Sequence, residues 1–415
     1  VKANEAMDAF QTVESVARAS YGRLVAYLSS RSHNLAEAED ALSEAFVAAL
    51  ETWTRNGVPQ KPEAWLLTAA RHKLIDGSRA AKVRTDSLST LRIIAKEAQE
   101  ISQLGTFPDE RLKLLFICAH PAIDAAAHTP LMLQTVLGLD AARIASAFLV
   151  APKTMGQRLV RAKAKIRDAG IAFEVPELSE LPTRLGAVME AIYAAYGTAW
   201  EEVSGADPRR RNLSNEAIWL ANVLVHLMPE EAEARGLLAL LLHCEARRKA
   251  RRSPEGNYIP LSEQDVLLWN SSMVEAAEQE LAIASLSKSL GRFQLEAAIQ
   301  SVHAQRAVTG QTHWEAIALL YEALVRLAPT LGAIVGQAAA TAQVYGSASG
   351  LAVLDSIALE QAAITYQPYW AVRAHLLAEL GNSQESQAAY IRAIGLSEDK
   401  QVRQFLIKQS LLRSS

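Results

Sequence analysis

The stretch Asp40-Ala41-Leu42-Ser43-Glu44-Ala45-Phe46-Val47-Ala48-Ala49-Leu50-Glu51-Thr52-Trp53 decides the fold class. At 3.6 residues per turn, Leu42, Ala45, Phe46, Ala49, Leu50 and Trp53 recur at helical spacing and share one side. Glu37, Asp40, Glu44 and Glu51 fall opposite them, within roughly a 60° sector at 100° per residue. The pattern predicts an amphipathic helix with one apolar face and a narrow acidic stripe. Such a stripe is either a solvated face or a docking surface for a basic partner. The same period runs through almost the whole chain, and no stretch alternates with the period of a strand. The expected fold class is therefore all-α.

Beyond the break at Asn56-Gly57-Val58-Pro59, a second helix is expected from Pro62 to about Arg79, since proline suits a first helical turn. Trp65, Leu66, Ala69 and Ala70 form its predicted inner face. From Arg71 to Arg92 there are six Lys or Arg against two Asp, a local net charge of +4 in a chain whose overall charge is −3. A basic patch of this kind suits phosphate contacts, although helices also end in basic residues that offset the dipole.

Farther along, Leu139-Asp140-Ala141-Ala142-Arg143-Ile144-Ala145-Ser146-Ala147-Phe148-Leu149-Val150-Ala151-Pro152 reads as a short helix capped by Asp140, a tight apolar turn, and a helix opened by Pro152. On that second helix Met155, Leu159, Ala162 and Ile166 cluster on one side, while Lys153, Thr154, Gln157, Arg158, Arg161 and Lys165 lie on the other. Residues 141–171 carry seven basic side chains and one acid, Asp168. A tight helix pair with a basic outer face on its second member fits a major groove. Lys153, Thr154, Gln157 and Arg158, near the N-terminal end, are the expected base readers. Arg161, Lys163, Lys165 and Arg167 are the expected phosphate contacts. The alternative is an exposed basic helix in a bundle.

Together these segments resemble the extracytoplasmic-function (ECF) group of bacterial sigma factors. The resemblance is carried by Ala38-Glu39-Asp40-Ala41-Leu42-Ser43-Glu44-Ala45-Phe46, by Pro62 to Asp76, and by Gln157-Arg158-Leu159-Val160-Arg161-Ala162-Lys163, in family order over residues 10–170. It implies an alternative sigma factor that binds core RNA polymerase and directs initiation at promoter DNA. Residues 1–85 would form the region 2 helical bundle and residues 106–175 the region 4 helix-turn-helix, joined by a linker over 86–105. Glu37, Asp40 and Glu44 would dock on polymerase. Arg71, His72, Arg79, Lys82 and Arg84 would meet the −10 element. Lys153, Thr154, Gln157, Arg158, Arg161 and Lys165 would meet the −35 element. Ser43 stands where the family often has glutamine.

Residues 180–287 and 288–415 are expected to be a helical extension ending in tetratricopeptide-like (TPR-like) helix pairs. The clearest pair spans Tyr369–Leu396, with Gly381-Asn382 at the turn and Ser386, Tyr390 and Ala393 at the small, aromatic and small positions of the second helix. By resemblance the extension regulates activity, through a protein partner or an intramolecular contact. Arg247-Arg248-Lys249-Ala250-Arg251-Arg252 is a dense basic run, read either as a solvated helix end or as a contact for DNA or for an acidic surface such as Glu37–Glu51.

Composition bounds the rest. Half of the 415 residues are apolar, enough to bury several cores, and Gly (20) and Pro (14) are sparse. Two cysteines, Cys118 and Cys244, fit a reducing compartment and do not by themselves make a structural zinc site. Neither a secretory leader pattern nor a membrane-length apolar run occurs, so a cytoplasmic protein with no membrane span is expected. No phosphate loop, dinucleotide turn, zinc-protease motif or nucleophile elbow is present, so no enzyme, cofactor or metal is expected, and His120 and His128 read as structural. Two other readings stay open: a DNA-binding regulator using the helix-turn-helix with a TPR sensor, free of polymerase, and a pure TPR adaptor.

Overall fold

The computed structural model describes residues 2–79, 110–136, 138–148, 150–174, 176–177, 180–200, 208–287, 289–359 and 361–413. The fold is all-α; a single antiparallel bridge, Arg252 to Tyr258, is the sole strand-like pairing among the described residues. The chain divides into two compact units, Val1–Thr198 with Pro208–Leu220, and Ala199–Asp207 with Ala221–Ser415.

The first unit opens with α1 (Lys2–Ser32), α2 (Leu35–Asn56) and α3 (Pro62–Arg79), packed as a bundle. Asn34 starts α2 by accepting the Glu37 N–H at 3.3 Å, and the Gly57 N–H closes it on the Trp53 carbonyl with φ at +81°. The bundle core joins Leu24, Val25 and Leu28 of α1 to Leu42, Ala45, Ala49 and Trp53 of α2 and Leu66 and Leu67 of α3. Trp53 and Trp65 meet edge to face at 5.5 Å. Each buried leucine or valine among them contributes about 1.5–3 kcal/mol by burial. Two expectations shift here. Phe46 and Leu50 are only half-buried, and Ala38 and Ala41 are buried instead. In α3 every residue from Ala64 to Ala70 is buried, so neighbours surround its first half rather than covering one face.

The same unit continues with α4 (Arg111–Cys118), α5 (Ala125–Thr135), α6 (Ala141–Ala147), α7 (Pro152–Asp168) and α8 (Leu181–Trp200). Nearly all of α4 is buried, and Arg111 lays its guanidinium over the Trp219 ring at 4.3 Å. Between α6 and α7 runs a short turn in which the Val150 N–H returns to the Ala145 carbonyl. On α7, Met155, Leu159, Ala162 and Ile166 are all buried, with the spacing that the sequence predicts.

Helix α9 (Pro208–Leu227) follows. The second unit holds α10 (Ala232–Ala246), α11 (Ser271–Ser285), α12 (Arg292–Ala304), α13 (Trp314–Leu327), α14 (Leu331–Tyr345), α15 (Ser347–Asp355), α16 (Gln367–Glu379), α17 (Ser383–Leu396) and α18 (Lys400–Leu412). From α12 onward each long helix packs on the next in chain order, while α10 packs on both α11 and α12. Close approach needs small residues. An added Cβ on Gly236 of α10 would lie 2.6 Å from the backbone nitrogen of Gln294. At the α16–α17 turn Gly381 has φ +78°, Ser386 donates to the Ala374 carbonyl at 2.8 Å, and Tyr390 and Ala393 are buried.

Candidate functional site

The acidic stripe of α2 is on the surface: Glu37, Asp40, Glu44 and Glu51 are all exposed. Glu44 pairs with Lys73 of α3 at 2.9 Å, with both side chains about half exposed or more. An ion pair that open is worth at most about 1 kcal/mol and exchanges readily for another partner. On α3, Arg71 and His72 are half-buried at the end of the buried run. Arg79 is the last residue of the helix, and its side chain lies outside the described set. Lys82 and Arg84 also lie outside the described residues.

On α7, Lys153, Thr154, Gln157, Arg161 and Lys165 are exposed, clear of the buried Met155–Ile166 face. The proline at N1 removes one of the unpaired donors of the helix start, and Lys153 and Thr154 lie in the exposed first turn. A cleft of about 360 Å³ lies between the start of α5 and α7, lined by Ile123, Asp124, Ala127, Arg158, Arg161, Ala162 and Lys165. Three cations and one carboxylate give it a net positive lining. Asp124 accepts the Ala126 N–H at 2.8 Å as the cap of α5.

Two cations of α7 are placed differently from their expected roles. Arg158 donates to the Ala126 carbonyl at 3.2 Å. Pro130 lies inside α5 and has no N–H to offer the carbonyl four residues back, which is that of Ala126. The guanidinium of Arg158 supplies the missing donor and ties α7 to α5. Lys163 pairs with Glu39 of α2 at 2.6 Å, with side chains only 18% and 13% exposed. At 100° per residue Lys163 falls on a flank of α7, between the buried face and the open cations. Glu39 likewise stands apart from the acidic stripe of its helix, on the far flank of the buried face. Burial pushes the Glu39 carboxyl above the ordinary carboxylate range, and the Lys163 ammonium pulls it back. Arg167 pairs with Asp168 at 2.9 Å in the open.

His120, His128 and Cys118 each make contacts within the first unit. His120 accepts the Ala122 N–H at 3.1 Å, and His128 bonds the Ile123 carbonyl at 3.0 Å. Cys118 is buried 3.5 Å from the Thr135 hydroxyl, and burial pushes its thiol up to about 12. Among the described residues no group of three or more His, Cys, Asp or Glu could hold a metal ion, and no helix is long and apolar enough to cross a membrane.

The basic run at 247–252 is not a solvated helix end. Arg247 is buried, donating to Gln300 at 2.5 Å and toward the His243 carbonyl at 3.4 Å. Arg248 grips Glu245 with two bonds of 2.6 and 2.7 Å, and Arg252 pairs with Asp399. Lys249 is exposed. Three of the five cations, Arg247, Arg248 and Arg252, therefore have partners within the second unit.

Residues 16–84 match the family model described as Sigma-70 region 2. Residues 184–285 match one described as a family of unknown function (DUF6596). The uncharacterized protein R00370 of Rhizobium meliloti (strain 1021) is 36% identical over 369 residues, which is 88% of this chain and 87% of that protein. No solved structure matches the chain. An N-terminal sigma-70 region 2-like domain in an all-α protein points to a transcription-related regulatory role.

Proposed function

Since the chain belongs to one family with the R00370 protein of Rhizobium meliloti over most of its length, we propose a single role for bundle, helix pair and extension: an alternative sigma factor of the extracytoplasmic-function type. Core RNA polymerase is its partner and promoter DNA its target. The observation that carries this reading is the match of residues 16–84 to sigma-70 region 2 on the bundle that presents Glu37, Asp40 and Glu44 to solvent. In this reading α2 docks on polymerase and the end of α3 meets the −10 element. The α6–α7 pair is region 4, its exposed Lys153, Thr154, Gln157, Arg161 and Lys165 facing the −35 element. Side chains that read duplex DNA must stand clear of their own core, and these five, three of them cationic, are exposed. Helices α16 and α17 support a TPR-like end to the extension, with Ser386, Tyr390 and Ala393 filling the helix–helix gap. The protein works without chemistry of its own, because polymerase supplies the catalysis.

The test is run-off transcription with core polymerase and the full chain. Asp40→Lys with Glu44→Lys abolishes transcript and polymerase binding and leaves binding to duplex DNA unchanged. Equal polymerase affinity of the variant and the parent would favour the polymerase-free regulator instead.

A further inference from the structure

Helix α18 is held along one side. Leu406 is buried in a cluster with Ala389, Tyr390 and Ala393 of α17, and the Ser410 hydroxyl donates to Gln387 at 2.9 Å. Phe405 meets the Tyr258 ring edge to face at 5.3 Å. The helix start is fixed by Asp399, which accepts the N–H groups of Gln401 and Val402 and pairs with Arg252. The other side is open and is not polar. Ile407, Leu411 and Leu412 are 42%, 66% and 63% exposed. At 100° per residue, Ile407 and Leu411 run along the middle of the open face. Lys400 heads that row, with Arg403 on one flank and Lys408 on the other, and all three are exposed. Helix α18 has no carboxylate of its own. Arg403 donates to the Ser397 carbonyl at 2.5 Å, a neutral acceptor that leaves its charge uncompensated. Among the described residues none of these three cations has an ion-pair partner. The outer helix of a helical stack ordinarily shows water a polar face, so an aliphatic row between cations points to a neighbour that covers it.

We propose that this open face of α18 is a docking surface for an acidic amphipathic helix of a partner protein. Ile407 and Leu411 stand one turn apart, the spacing at which one helix anchors on another. Charges beside such a seam select the partner, and cations on both flanks call for aspartates or glutamates opposite them. Two other occupants fit less well. A second α18 would set Lys400, Arg403 and Lys408 against their own copies, and like charges across a contact repel. A bilayer surface is held by a broad apolar face with aromatic side chains. Here the aliphatic row is narrow, and Phe405, the one aromatic of the helix, is turned toward Tyr258. The surface belongs to the second unit alone, and its use does not depend on the role of the first.

The experiment titrates the full chain into two fluorescein-labelled synthetic peptides of about 20 residues, long enough to be helical alone. Both carry a row of leucines one turn apart, flanked by glutamates in one peptide and by lysines in the other. The parent binds the glutamate peptide, and high salt weakens the binding. Lys400→Glu with Lys408→Glu weakens the glutamate peptide at least about tenfold and strengthens the lysine peptide, a swap of preference that a damaged fold would not give. Leu411→Ser weakens the glutamate peptide about tenfold as well, and circular dichroism shows equal helix content. A parent that does not bind the glutamate peptide, or a charge-swapped variant that binds both peptides as the parent does, overturns the proposal. Two further arms address the other occupants. Vesicles of phosphatidylglycerol and phosphatidylcholine leave the parent in solution; pelleting that the charge swap abolishes assigns the face to lipid and overturns the protein partner. Sedimentation velocity finds no self-association that depends on Leu411; a dimer dissolved by Leu411→Ser assigns the face to a second copy, with the same consequence.

Discussion

Removing Arg158 tests the role the structure gives it against the role the sequence suggests. Its guanidinium takes the carbonyl that Pro130 leaves without a donor, at 3.2 Å from Ala126. The bond lies at the surface, so the charged hydrogen bond, worth about 1.5–3 kcal/mol when sheltered, is discounted to about 1 kcal/mol. Arg158→Ala should cost that much, lowering the melting temperature of the first unit by about 2–4 °C for a body of its size. Pro130→Ala restores an N–H four residues beyond Ala126 and makes the guanidinium redundant. In that background Arg158→Ala should cost close to nothing. The double-mutant cycle should then report a coupling of about 1 kcal/mol, read by calorimetry of the four full-length chains. Equal destabilisation by Arg158→Ala with and without Pro130 would refute the tie. The cycle also separates structure from reading: if Arg158 contacts a base edge, its loss weakens duplex binding by about 1–3 kcal/mol in both backgrounds.

Two further outcomes concern the second unit. Burial and the nearby Arg247 hold His243 and His303 down to about 4, below their ordinary 6.5. The unfolded chain therefore takes up protons that the folded one refuses. Their contribution is complete above pH 6.5 and is lost as pH falls through about 4, with a slope of up to about 1.4 kcal/mol per pH unit for each histidine. Urea melts at pH 7 and pH 5 measure it, and His243→Gln should remove about one proton from the slope; an unchanged slope would sink the assignment. Gly236→Ala forces a Cβ against the Gln294 backbone at 2.6 Å. Overpacking of about 1–3 kcal/mol should outweigh the gain of about 1 kcal/mol in helix propensity. Gly395→Ala, whose Cβ would meet open space, should stabilise, and thermal melts showing both substitutions equally stabilising would contradict the packing.

The sequence was most informative where one helix face decides burial. Met155, Leu159, Ala162 and Ile166 follow a single period, and all four are buried. The bounds of α3 follow from Pro62 and the basic stretch after it. Periodicity fails for Ala64–Ala70, because a helix wrapped by neighbours has no dry face to mark. It also cannot see partners that are distant in the chain. Lys163 looks like one more phosphate contact until Glu39, 124 residues away, is found beside it. The run at 247–252 looks solvated because Gln300 and Asp399 lie 53 and 147 residues downstream. For Arg158 a signal did exist: a proline within a helical stretch strands a carbonyl, and some donor has to reach it.

The pairing of Arg252 with Asp399 has a bearing on how the extension can be dissected. Asp399 also caps α18 through the N–H groups of Gln401 and Val402, so one carboxylate serves both a terminal helix and an arginine contributed from the other end of the unit. Trimming the chain from its C-terminus before that residue does not simply shorten a stack of helices; it strands a cation near the first of them. Deletion series that aim to map the extension should therefore stop downstream of α18 or remove the whole unit, since intermediate cuts would report misfolding as though it were lost regulation.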